Sequence, residues 1–162
     1  MALKVNLRHL EEHNVRLQGE IPVEELELDV HDEIIQPRKP LRYDIEAQKM
    51  EHALLLQGKL DLALDCQCVR CLKPFEYELE IASWTCHLLL EGEEKVPVVS
   101  DCVDLTPYVR EDILLEFPQH PLCKAECGGL PNKSVGKKNK TGSSTDLKPD
   151  GSAWSELNKL KF

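Results

Sequence analysis

Long apolar runs are missing from this 162-residue chain; the longest wholly apolar stretches are ALLL at 53–56 and LLL at 88–90. A helix that spans a bilayer needs about 20 such residues. The first residues, MALKVNLRHLEEH, turn polar at Lys4 and lack the continuous apolar stretch of a secretory leader. The expected compartment is therefore the cytoplasm, where thiols stay reduced. Aromatics are scarce as well. With two Trp, three Tyr and three Phe, a core must be built from aliphatic side chains, and 41% hydrophobic residues suffice for one domain with a tail. No His, Asp and Glu cluster with hydrolytic spacing is visible, and no cysteine follows Cys127.

Charge is present in excess but unevenly. The net charge is −9, which argues against a general nucleic-acid binder. Residues 1–123 hold 12 Lys and Arg against 25 Asp and Glu, whereas residues 124–162 hold 8 lysines against 4 acids. An acidic body thus carries a basic tail, as suits a protein that touches a charged partner with one end or docks on a basic protein.

The first ninety residues read as strands with one wet face. Leu3, Val5 and Leu7 alternate with polar residues, as do Val15, Leu17 and Ile21, then Leu26, Leu28 and Val30, then Leu41, Tyr43, Ile45 and Ala47. From Ala53 to Cys68 one parity holds Leu54, Leu56, Gly58, Leu60, Leu62, Leu64, Cys66 and Cys68. Such a long strand needs a bend, and Gly58 marks it. Phe75, Tyr77, Leu79 and Ile81 form the returning inward set, but Trp84, Cys86, Leu88 and Leu90 have the other parity. A bulge at Ala82 and Ser83 accounts for the slip. The predicted fold is α+β: a mostly antiparallel, bent sheet, open or partly closed into a barrel, with one packed helix and a short C-terminal helix.

The packed helix is predicted over 105–117, capped by Thr106, with Pro107 in its first turn and Leu105, Val109, Ile113 and Phe117 inward. The expected organisation is a β-rich core over 1–127, a flexible basic linker over 128–151, and an amphipathic helix over 152–162 through Trp154, Leu157 and Leu160.

The chemistry concentrates in CQCVRCLKPF, residues 66–75, at the tip of a hairpin. Cys68-x2-Cys71 is half of a zinc knuckle, and Cys123-x3-Cys127 after the helix offers a second pair. Four thiolates on Zn²⁺ carry about −2 by ligand counting, which Arg70, Lys73 and Lys124 could offset. A redox CxxC opens a helix, whereas a strand follows here. A zinc deaminase needs H-x-E with P-C-x-x-C; His9-Leu10-Glu11 fits the first, but Gln67 precedes Cys68. A plain packing role for all the thiols stays open. Cys66, Cys86 and Cys102 read as small hydrophobes. His120 is either a substitute ligand or a surface residue.

CVRCLKPF, then DLTPYVREDILLEFPQHPLCKAECGGL, then a terminal AWSELNKLK, together resemble the YceD family of large ribosomal RNA subunit accumulation proteins. The resemblance spans roughly 54–130 and the last ten residues. It maps the hairpin motif onto Cys68, Arg70, Cys71, Pro74 and Phe75, and the second pair onto Cys123 and Cys127. It implies a role in accumulation and maturation of the large-subunit RNA of bacteria and chloroplasts, and no catalytic mechanism. Many relatives continue with a Cys-Pro-x-x-Cys-Gly knuckle, where this chain reads GGLPNKSVGKKNK. Either the site closes with the four cysteines named or metal binding is lost.

The expectation is thus a non-enzymatic ribosome-biogenesis factor that docks on a large-subunit ribosomal protein or on precursor ribosomal RNA, with no membrane or small-molecule partner. Arg70 and Lys73 at the tip, and Lys133, Lys137, Lys138 and Lys140 in the linker, are the candidate contacts. The alternatives are a metal-assisted RNA-processing enzyme and a zinc-stabilised adaptor unrelated to ribosomes.

Overall fold

The computed structural model describes residues 2–28 and 32–131, all within a compact unit over 1–131. Lys133, Lys137, Lys138, Lys140 and the helix expected over 152–162 lie outside the described residues. The described chain is α+β, as its alternation predicts. Strand β1 (Lys4–Asn6) leads through a 3-10 turn (His9–Glu11) to β2 (Val15–Ile21) and a short helix α1 (Val23–Leu26). Strands β3 (Ile35–Pro37), β4 (Leu41–Lys49), β5 (Ala53–Gln67) and β6 (Pro74–Leu89) follow. Two small strands, β7 (Val98–Val99) and β8 (Cys102–Asp104), precede helix α2 (Thr106–Leu115).

All strand pairs are antiparallel. Five strands form a curled half-barrel in which β5 is central: β6 runs along one edge of it, while β4 and then β3 share the other, and β2 lies beyond β4. A separate three-stranded sheet has the order β1-β8-β7. The leucine ladder of β5 explains the curl's interior: Leu54, Leu56, Leu60, Leu62 and Leu64 are all fully or nearly fully buried. Burial of each such side chain contributes about 2 kcal/mol.

The phase slip has the expected cause. Gly58 pairs with Trp84 but Leu60 pairs with Ile81, so Lys59 alone stands opposite Ala82 and Ser83. A Cβ on Gly58 would sit 2.1 Å from the Asp44 carbonyl oxygen, so only glycine fits.

Four expectations need correction. The run holding Leu26 and Leu28 is not a strand: Pro22 opens the one-turn helix α1, which buries Leu26 and ends at a left-handed Glu27, while Val30 lies outside the described residues. A short apolar-acidic alternation fits a turn of helix as well as a strand. Thr106 does not cap α2. Asp104 Oδ1 accepts the Thr106 N–H at 2.9 Å, and Thr106 Oγ1 accepts the Leu3 N–H at 2.9 Å, tying β1 to the helix start. The helix stops at Leu115, with Phe117 beyond it packed partly against the core. Tyr77 keeps the inward parity of Leu79 but is not buried, being 37% exposed on the edge strand β6.

Helix α2 packs Val109 and Ile113 into the core and takes a polar fix from the sheet. The buried Trp84 indole Nε1 donates to Asp112 Oδ2 at 2.6 Å. No helix among the described residues is long and apolar enough to cross a membrane.

Candidate metal centre

Strand β5 keeps its inward parity to the end, so Cys68, the next inward position after Cys66, is fully buried at the mouth of the hairpin. The turn closes on itself there. Cys68 N–H donates to the Lys73 carbonyl at 2.9 Å, Leu72 N–H donates to the Cys68 carbonyl at 2.8 Å, and Leu72 takes the left-handed φ of 61° that the turn requires. Gln67 Nε2 donates to the Leu72 carbonyl at 3.0 Å and braces the turn from outside.

The segment after α2 is brought to this tip by the backbone. Val69 N–H donates to the carbonyl of buried Pro121 at 3.0 Å, which places Cys123 beside the hairpin. A second turn, with Cys127 N–H donating to the Lys124 carbonyl at 3.1 Å, returns Cys127 to the same spot. Arg70 Nη1 then donates to the Cys127 carbonyl at 3.1 Å. The Sγ atoms of Cys68, Cys71, Cys123 and Cys127 all lie within 4.8 Å of one another.

Two of those separations are decisive for the chemistry. Cys68 Sγ to Cys127 Sγ is 3.7 Å, and Cys71 Sγ to Cys123 Sγ is 3.6 Å. A disulfide would need about 2.0 Å. Four thiolates around one tetrahedral ion, each about 2.3 Å from it, stand about 3.8 Å apart. The cluster can therefore hold a metal ion.

Its electrostatics suit an anionic sulfur. Hydrogen bonding from the backbone of Cys123, then of Cys71 and Arg70, pulls the Cys68 pKa down to about 6. Cys123 moves the other way, to about 12, because its hydrogen bond with Cys71, its burial and the neighbouring sulfurs all disfavour a second negative charge. Without a cation the four sulfurs cannot all ionise; with one, they can. Lys73 and Lys124 are exposed close by in sequence to the ligand positions, and neither forms an ion pair among the described residues. Arg70 is exposed too, but part of its hydrogen-bonding capacity is spent on the Cys127 carbonyl.

The other cysteines stand apart from the cluster. Cys66 is buried in the aliphatic core, and desolvation followed by the charge of Asp65 raises its pKa. Burial, then Asp112 and Glu111, pushes half-buried Cys86 up to about 11. Cys102 is half-buried in the small sheet, and His120 is exposed outside the four-sulfur group. Sequence reasoning missed the bonds that join the halves, the Pro121 carbonyl and the Arg70 bond, and the Gln67 brace within the hairpin. Backbone acceptors leave no residue-type signal.

The family model for large ribosomal RNA subunit accumulation proteins, YceD, matches residues 56–161. The chain belongs to the YceD family. The matched stretch begins within β5 and takes in β6, α2 and both cysteine pairs. The YceD name points to ribosome biogenesis and describes RNA accumulation rather than a catalytic activity. No curated protein and no solved structure matches the chain.

Proposed function

We propose that this YceD-family chain is a non-enzymatic assembly factor that supports accumulation and maturation of large-subunit ribosomal RNA in the cytoplasm, docking on a large-subunit ribosomal protein or on precursor RNA. The observation that carries the reading is the set of four sulfurs from Cys68, Cys71, Cys123 and Cys127. An all-thiolate set suits Zn²⁺, and four protein ligands fill its tetrahedral shell, leaving no position for a reacting water. The ion then acts as a staple between the β5–β6 hairpin and the segment after α2.

The charge distribution favours protein docking as the first contact. Residues 1–123 carry twice as many acids as bases, and RNA phosphates are repelled by such a surface. Direct RNA contact falls to Lys73 at the tip and to Lys133, Lys137, Lys138 and Lys140.

The test is removal of the protein from its cell, with mature large-subunit RNA measured against small-subunit RNA. The expected result is selective loss of the large-subunit species, restored by the intact chain and not by a Cys68→Ser, Cys123→Ser double variant. Zinc measured per chain should be about one and absent from that variant. Cleavage of precursor RNA by the purified, metal-loaded protein would overturn the non-enzymatic reading.

A further inference from the structure

Strand β6 is an open edge among the described residues. Among the described residues, the backbone of residues 75–81 hydrogen-bonds to β5 alone, which leaves one side of a long strand without a ladder. Natural edges are usually blunted by lysine, proline or brevity. This one has 16 residues, its only proline is at its first position, and it carries no lysine or arginine.

Its two faces are chemically distinct. On the outer face, Glu76, Glu78 and Glu80 are all exposed. Opposite them on β5 stand Asp65, Ala63 and Asp61, so two of the three cross-strand pairs set carboxylate against carboxylate. Like charges so placed repel. Lys39 relieves Glu76, and Lys59 bridges Asp61 and Glu80, but Glu78 has no ion pair among the described residues. On the inner face, Phe75 and Ile81 remain partly exposed and Tyr77 is 37% exposed, an apolar margin with no covering strand.

We propose that the edge of β6 over residues 75–81 binds an extended, lysine- and arginine-rich segment of a partner protein as an added antiparallel strand. The main-chain ladder supplies affinity, and the side-chain period of two supplies selectivity. Alternate residues of the incoming strand meet the row of glutamates and must be basic; those between meet Phe75, Tyr77 and Ile81 and are apolar. The same glutamates reject a second copy of this chain, because self-pairing on this edge sets glutamate against glutamate. The inference rests on the reading that the chain docks on a basic ribosomal protein, and it names the surface and the form of the contact.

The experiment uses the full chain as purified, with a short fluorescent peptide alternating lysine and valine. A peptide of the same composition with its lysines in one block is the control. The alternating peptide is expected to bind about tenfold more tightly, and to slow amide exchange over residues 75–81. Glu78→Lys, a surface change that leaves the fold intact, should weaken it about tenfold. Equal binding of the two peptides would overturn the proposal in favour of charge alone. So would slow exchange, before peptide is added, of those amides in 75–81 that point away from β5, which would mean the chain covers its own edge, or self-association through β6. The two readings separate cleanly. Loss of the peptide result in a protein that still restores large-subunit RNA sinks the edge only; peptide binding by a protein whose removal leaves that RNA unchanged sinks the assembly role.

Discussion

Gly58 is the described glycine least able to change. An added methyl would meet the Asp44 carbonyl at 2.1 Å and the Ile45 Cα at 2.7 Å, both backbone atoms that cannot swing away. Gly58→Ala should therefore cost more than the roughly 1–3 kcal/mol typical of overpacking, seen as a large fall in the urea midpoint. Asp112 is a second sensitive residue. Removing its carboxylate strands the buried Trp84 N–H, and Asp112→Ala should cost about 1–3 kcal/mol with a shift of the Trp84 indole proton in NMR spectra. A third residue gives a pH signature. Arg16 forms a two-pronged ion pair with Asp44, at 2.8 and 2.6 Å, and holds the carboxyl pKa near 2 from an ordinary 3.8. Because the folded pKa is the lower one, the pair's contribution is present above pH about 4 and fades as pH falls toward 2. Arg16→Gln should return the Asp44 titration toward 3.8. Of these residues, Gly58 was legible as a bend in the sequence, since a glycine interrupts a leucine ladder. Asp112 and Asp44 were not, because nothing in a polar residue's own neighbourhood names a partner 28 positions away.

Among the elements, the long hairpin was readable almost to the residue. Its leucines repeat at period two over more than twice a typical strand length, and the parity slip at Ala82 and Ser83 records the bulge directly. Short elements were not readable. Helix α1 and strands β7 and β8 are too brief for either period to accumulate, and they exist because tertiary partners hold them: β8 pairs with β1, and Leu26 is buried. The two cysteine turns belong to this scale. Each carries only one or two backbone bonds of its own, so a cation shared between them should supply much of their order. Chelation, or Cys71→Ser, is expected to speed amide exchange at residues 68–72 and 122–127 while the leucine ladder around Leu56 and Leu60 stays protected. Equal deprotection across both regions would mean that the cluster supports the whole domain.

For the whole molecule, the proposed docking on a basic partner draws on the division between acidic body and basic tail. Binding to a basic partner through residues 1–123 should weaken steeply as salt rises over about 50–200 mM, a dependence that pull-down at graded ionic strength reads directly. Alternation and composition determined the α+β class, the antiparallel sheet, its bent central strand and the charge asymmetry, because each is a local or additive property of the chain. The two CxxC-like pairs were likewise visible as ligand types. Only the tertiary structure decided that they meet. That depends on where α2 ends, on Pro121 offering its carbonyl to Val69, and on Cys68 taking the inward position just past β5. The open edge of β6 is of the same kind. A strand's sequence states which residues face in and out, but whether its second side finds a partner is settled by the arrangement of all the others.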